Sequence, residues 1–244
     1  MSKSYFPLSI SQRNIFNQEL KFNNTPINNI CTTLNIRGRV DFSLLQNIIN
    51  QILELDDSLR TRFSDQEPVL QYIHAFQSHI FPIFDFSLTN QEGIDQWTST
   101  ISRELMPLYD TDMYQFYLYK TEEMQGGVLI KTHHLISDGY TQVLLCNRIA
   151  EMYLKHVHEE EMIEPTIFSY QLHIEKEKQY LESKAYQRNQ QYWTDITQKM
   201  PLAQSVKECN SASLTYIGKR QTFSLSEKQN HLVYQYCLKE RISP

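Results

Sequence analysis

Cysteine is sparse in this 244-residue chain: the four thiols, at positions 31, 146, 209 and 237, have neither disulfide nor metal-site spacing. They read as scattered thiols of a reducing, cytoplasmic setting. No apolar run reaches the ~18 residues of a membrane-spanning helix, and the N-terminal stretch MSKSYFPLSIS lacks the apolar core of a signal peptide. Long basic runs are missing too, and the formal net charge is -5. Neither nucleic acid nor an anionic membrane is therefore expected as a principal partner. There is no Gly/Ser linker, low-complexity stretch or internal repeat. Hydrophobic residues make up 41% of the chain, enough to bury a sizeable core, so it is expected to fold.

What is present is concentrated in residues 132–140. Two histidines, an aspartate and one of only six glycines fall within seven residues, directly after the apolar run Val128-Leu129-Ile130. A His-His-x-x-x-Asp-Gly match arises by chance in roughly one shuffled sequence of this composition in a few thousand. Histidine is the side chain best placed to move or hold protons near neutral pH. The Asp-Gly pair marks a sharp turn that presents the histidines at a strand end. Successive strand residues point to opposite faces, so one histidine is expected to face inward and the other to line a cleft. Gly139 is expected to take a positive φ or to allow close approach of substrate.

Apolar periodicity places this segment among alternating helices and strands. A helix is expected from Ser9 or Ser11, a strand over 28–37, and a helix capped by Asp41 that carries Leu44, Leu45, Ile48, Ile49, Ile52 and Leu53. Short strands at 69–74 and 80–84 and a polar helix over 91–105 follow. Residues 113–120 and 127–132 read as neighbouring strands joined by a turn at 122–126. After Gly139 a helix over 141–156 is expected to turn Val143, Leu144, Ile149 and Tyr153 inward. A long helical region over 166–197, broken near Ser183, a strand at 221–225 and a helix over 226–240 complete the pattern. The whole reads as one subdomain with elaborations.

Other chemistry-bearing residues carry weaker signals. His156 and His158 have no third ligand at sensible spacing and read as a solvated helix end. Ser137, beside His134, lacks the glycines of a nucleophile elbow. Gln12 and Arg13 could act at the site but read first as structural residues near the first helix, and Arg62 reads as exposed.

The histidine segment resembles the active-site motif of condensation domains of nonribosomal peptide synthetases, shared with other acyltransferases of the chloramphenicol-acetyltransferase-like fold. Three further stretches are similar to family motifs in the same order. These are YFPLSISQRNIF, with Ser9, Gln12 and Arg13; DDSLRTRF, with Leu59, Arg60, Thr61 and Phe63; and FSYQLHIEKEKQYLESKAYQRNQQYW. The chain departs from the family at Leu55-Asp56-Asp57, where Arg-His-Glu is usual, and the motifs of the second half are absent.

The resemblance implies an α/β fold: the N-terminal half of a chloramphenicol-acetyltransferase-like two-layer sandwich, with a mixed, mostly antiparallel sheet and flanking helices. Residues 1–244 would form the N-terminal subdomain, the C-terminal subdomain being absent. It implies His134 as the catalytic or positioning residue, His133 as its support, and Gly139 beside them. Asp138 is implied to be structural, paired with Arg60, and loss of one side of such a buried pair would cost about 3–5 kcal/mol.

The implied reaction forms an amide between a donor acyl thioester and the α-amine of an aminoacyl thioester. His134 accepts the amine's proton or orients the amine. No cofactor or metal is implied on the chain itself, because substrates ride on the 4'-phosphopantetheine of carrier proteins or arrive as acyl-CoA. The implied partners are acyl or peptidyl carrier proteins, the missing C-terminal condensation subdomain and a downstream adenylation domain. Two stretches, DFSLLQNIINQILELDDSLRTRF and ESKAYQRNQQYW, are similar to starter-type domains, which attach a fatty acyl group to the first amino acid. If Met1 is the native start, no carrier precedes the domain, which favours that reading. Alternatives are an elongation-type domain with a peptidyl donor and a half-domain that only binds carriers.

Overall fold

The computed structural model describes residues 4–122, 125–161, 169–200 and 221–243. The chain divides into two compact units, Met1–Gln204 and Ser205–Pro244. The first unit runs β1 (Phe6–Pro7), α1 (Ile10–Lys21), β2 (Asn29–Ile36), α2 (Phe42–Leu55), β3 (Thr61–Phe63), β4 (Leu70–Ile73), β5 (Ile83–Asp85), α3 (Gln91–Arg103), β6 (Tyr114–Glu122), β7 (Gln125–His133), α4 (Gly139–Val157), α5 (Tyr170–Leu181) and α6 (Lys184–Lys199). The second unit contributes α7 (Glu227–Glu240).

Helix starts follow their caps. Ser9 and Gln12 form a reciprocal capping box on α1, and the Asp41 carboxylate accepts from the Leu44 N–H at 2.9 Å at the start of α2. Ser183 caps α6, so the long helical region breaks where expected, and Ser226 caps α7. Thr166, the expected start of that region, lies outside the described residues, as do 123 and 124 of the expected 122–126 turn.

Four strands form a mixed sheet in the order β2-β7-β6-β5, antiparallel except for the parallel β5–β6 pair. A smaller antiparallel sheet has the order β1-β4-β3. Strand β7 lies inside the larger sheet and is buried from Gly126 to His133. Glycine is required there. A Cβ on Gly127 would stand 2.0 Å from the Leu34 carbonyl oxygen, and one on Gly126 would stand 2.0 Å from that of Tyr119.

Helices α2 and α4 cover one face of this sheet. Leu45, Ile48, Ile49, Ile52 and Leu53 of α2 pack with Leu145, Ile149, Met152 and Tyr153 of α4 against Phe116, Leu118, Val128 and Ile130. Each such aliphatic side chain contributes about 1.5–3 kcal/mol by leaving water. On the other side, Trp97 of α3 meets Phe84, Phe86, Tyr117 and Tyr119 with ring centroids 5.0 to 6.2 Å apart. The end of α3 is pinned to the sheet through its carbonyls. Lys131, buried on β7, donates to Glu104 O at 2.8 Å, and Asn29 donates to Ser102 O and Glu104 O, each at 2.8 Å. A cation suits a helix C-terminus, although burial still lowers the Lys131 pKa. Its register partner Cys31 is pushed up to about 11, chiefly by burial, which makes it an inert thiol.

Two expectations fail here. Val143 and Leu144 are 53% and 51% exposed, and the inward arc of α4 is Gln142, Leu145, Ile149, Met152 and Tyr153. With about 100° between successive residues, Val143 and Leu144 fall outside the arc that meets α2 and the sheet. Residues 221–225 form no strand. They are irregular and exposed, and a strand needs a partner and a buried face to be stable.

Candidate active site

The two histidines sit where β7 gives way to the loop leading into α4. Both backbones are fixed: His133 N–H donates to Met113 O at 2.9 Å and His134 N–H to Asn28 O at 2.8 Å. The chain then turns, with Ile136 N–H bonded to His133 O at 3.1 Å. Leu135 anchors the turn in a small core with Leu8, Phe16, Phe63 and Met113. The alternation of the strand, carried one residue past its end, sends the two rings to different sides.

His133 is 3% exposed. Its Nδ1 accepts the Leu135 N–H at 3.2 Å, so the ring proton sits on Nε2, which lies 3.4 Å from the Glu19 carboxylate. That same carboxylate oxygen accepts from Asn28 Nδ2 at 2.6 Å. Burial would raise the Glu19 pKa, but the bonds from His133 and Asn28 outweigh it and hold the carboxyl below its ordinary value. A cleft of about 430 Å³ opens on this side, walled by Leu20, Asn29, Leu105 to Tyr109 and the His133–Glu19 pair.

His134 is half-buried and lines a different cleft of about 470 Å³. Its walls are Ser9, Ser11, Gln12, Asn14 and Ile15 at α1, Ser58 and the first residue of β3, Thr61, the loop Leu135 to Asp138 with Thr141, and Tyr170 of α5. Among the described residues the His134 ring has no hydrogen-bond partner. Around it the wall is rigidly tied. Gln12 and Gln71 exchange amide hydrogen bonds at 2.8 and 2.7 Å, and Gln12 also donates to Leu135 O at 3.1 Å. Tyr170 N–H donates to the buried Asp57 at 2.9 Å, and Ile10 N–H donates to Glu177 at 3.1 Å, which straps α5 over the start of α1.

Asp138 does not pair with Arg60. Asp138 is exposed and caps α4, its Oδ1 accepting from Thr141 N–H and from Thr141 Oγ1, each at 2.7 Å. These bonds from Thr141, the backbone one first, lower its pKa, with a smaller contribution from His134. Arg60 instead donates to Leu53 O at 2.8 Å, Glu54 O at 3.2 Å and His74 O at 2.7 Å. It is thus a C-terminal cap for α2, whose last carbonyls attract a cation more directly than a carboxylate already committed to a helix N-terminus. Arg62 is not exposed either; it pairs with Asp112 at 2.8 Å. Gly139 opens α4 without a positive φ, so that expected reason for the glycine fails, and a Cβ there would meet no described protein atom within 4 Å.

Ser137 is buried, its hydroxyl accepting from Gln142 Nε2 at 2.9 Å and lying 3.4 Å from Asp138 O. Its hydroxyl is thus engaged within the loop, although the residue also lines the His134 cleft. What the cleft offers chemically is one imidazole on a fixed mount, surrounded by hydroxyls and amides, with an anionic carboxylate nearby. That suits proton transfer or orientation of a polar group better than covalent catalysis. Among the described residues no group of three or more His, Cys, Asp or Glu is arranged to hold a metal, and no helix is long and apolar enough to cross a membrane. Sequence reasoning missed Asp57, Ser58, Tyr170 and Gln142. Only Gln142 left a trace, as a polar residue three before Leu145 on the inward arc of α4.

The family model described as "Condensation domain" matches residues 2–243. A plipastatin synthase of Bacillus subtilis (strain 168) is 26% identical over 246 residues, covering 100% of this chain and 10% of the relative. Surfactin synthase subunit 1 of the same organism is 26% identical over 250 residues, covering 100% of this chain and 7% of the relative. A solved variant of the starter condensation domain of rhizomide synthetase RzmA, in complex with C8-CoA, superposes with a TM-score of 0.75 at 20% identity, covering 81% of this chain and 46% of that one. At that identity the likeness concerns the fold, which is thus of the chloramphenicol-acetyltransferase-like kind. The chain spans about a tenth or less of the length of these curated relatives and under half of that solved domain.

Proposed function

The chain belongs to the condensation-domain family, whose members are amide-forming acyltransferases, and from that premise we propose that it takes part in the amide-forming step of nonribosomal peptide assembly. The α-amine of an aminoacyl thioester attacks the carbonyl carbon of a donor acyl thioester. A C–N bond forms, the C–S bond breaks, and the amine's proton leaves by way of His134 for the departing thiolate. His133 supports His134 from behind, and Asp138 caps the helix that closes the loop. The observation that carries this reading is the His134 ring: fixed in backbone, facing a cleft, and among the described residues without a hydrogen-bond partner or an activated nucleophile beside it.

A free α-amine has a pKa of about 7.7–8.0, so much of the acceptor is already neutral at physiological pH. Orientation of that amine by His134 then matters as much as basicity. We assign the donor to the fatty acyl class, as in chain initiation. The starter-like stretches of the sequence support this, as does the likeness to a starter domain solved with C8-CoA. The partners are carrier proteins bearing 4'-phosphopantetheine thioesters, an adenylation domain that loads the acceptor, and the remaining half of a condensation domain, which supplies the opposite wall of the His134 cleft. The chain works in the cytoplasm, where those thioesters are made.

The test uses the full natural polypeptide, supplied with acyl-CoA donors of graded chain length and an aminoacyl-loaded carrier. Intact-protein mass spectrometry follows the acyl-aminoacyl product. Product that disappears in His134→Ala supports the reading, and a preference for fatty acyl over peptidyl donors supports chain initiation. Folded protein that yields no product with any donor would move the function to carrier binding alone.

A further inference from the structure

Gln142 is out of character with its surroundings. It lies on the inward arc of α4 with Leu145, Ile149 and Met152, and it is 2% exposed. A leucine there would continue the apolar stripe. Instead the side-chain amide donates both its protons, to Thr132 Oγ1 at 2.7 Å and to Ser137 Oγ at 2.9 Å, while its Oε1 is buried with no hydrogen-bond partner among the described residues. A buried polar atom left unsatisfied is costly and uncommon in a native interior. The two hydroxyls it grips belong to the residues that bracket positions 133–136. Thr132, fully buried, is the last residue of β7 before the histidines, and Ser137 is where the chain turns toward α4.

We propose that Gln142 is a positioning residue for the reaction assigned to His134: by stapling Thr132 to Ser137 it closes the base of the loop and fixes the direction of the His134 ring. The inference rests on that assignment of the reaction. Backbone bonds already hold the incoming limb of the loop, through His133 and His134, and Gln12 holds its apex at Leu135. Gln142 adds the tie between the outgoing limb and the strand. Hydrogen bonds are directional where apolar packing is not, so an amide sets the loop's angle in a way that leucine would not. The staple acts from below the loop and touches no substrate. A ring displaced by about 1 Å loses on the order of a hundredfold in rate, so a small opening of this loop is enough to matter.

The decisive variant is Gln142→Leu in the full natural polypeptide, read as a double-mutant cycle with His134→Ala. The expected result is a fall in kcat on the order of ten- to a hundredfold with KM within about twofold, and no further loss when Gln142→Leu is added to His134→Ala. Equal losses in both backgrounds, or an unchanged kcat, would overturn the proposal while leaving the reaction in place. A fully active His134→Ala protein would overturn the reaction and this role together. A ring-specific readout is the rate of diethyl pyrocarbonate modification at His134, resolved by mass spectrometry. It is expected to change severalfold in folded Gln142→Leu while His156 keeps its rate; an unchanged His134 rate counts against the proposal. Should Gln142→Leu fail to fold, Thr132→Val and Ser137→Ala each remove one arm of the staple from the other end and are expected to lower kcat in the same way; both retaining full kcat would sink the idea.

Discussion

Two neighbouring residues of one strand end have opposite fates. The His133 ring is closed in: one nitrogen accepts a backbone N–H, the other faces Glu19, and little of it meets solvent. The His134 ring is mounted as firmly through its backbone, yet faces a cleft with no hydrogen-bond partner among the described residues. The same residue type is thus closed in on one side of the chain and open on the other: pleat geometry sends the two rings to different sides, and the groups that packing brings to each side decide which one is sealed. The role proposed for His134 rests on that contrast.

The widest break in that comparison is His134→Ala in the full natural polypeptide. A rate loss of about 10²–10⁴-fold is expected, with thermal stability unchanged because no hydrogen bond of the ring to a described residue is lost. Next is Glu19→Gln, which weakens the closed side. Hydrogen bonds to a charged group contribute about 1.5–3 kcal/mol, so urea denaturation at pH 7 is expected to register a loss of that order. The Glu19 carboxyl is held below its ordinary value of 4.5, so its stabilisation is fully present above that value and is lost as pH falls through the lower folded value. Wild type is therefore expected to lose this increment on acidification while Glu19→Gln does not, which a pH series of denaturation curves will show.

Smaller effects sharpen the picture of the loop. Asp138→Ala removes a helix cap and is expected to cost about 0.5–2 kcal/mol, largely restored by Asp138→Ser. In a double-mutant cycle with Arg60→Ala the coupling energy is expected to be near zero, since the two side chains serve different helices. Gly139→Ala is expected to change stability by no more than about 0.5 kcal/mol, because its Cβ has open space. A loss of turnover in Gly139→Ala without a loss of stability would place the need for glycine on the substrate side of the cleft.

Much of the fold is legible in the sequence. Ser9, Asp41, Ser183 and Ser226 announce helix starts because a cap is a local hydrogen bond between residues two or three apart. The α2 stripe from Leu45 to Leu53 is equally local in origin. The Arg60–Asp138 pair expected from the resemblance fails because each side chain finds a nearer helix end. The inward face of α4 is misread because Gln142 carries no apolar label, while exposed Val143 and Leu144 do. Asp57 and Tyr170, 113 residues apart, meet through a backbone N–H whose position no side-chain pattern encodes.

The sequence by itself determined the family, most of the helices and longer strands, and the two histidines at a strand end, since these depend on local spacing, caps and the period-two alternation of a strand. Only the tertiary structure decided which ring is sealed and which is free, what Asp138 and Arg60 hold, and that Gln142 lies beneath the loop. Those outcomes depend on which distant hydrogen-bonding groups arrive at the same place, and a donor takes the acceptor that packing brings nearest.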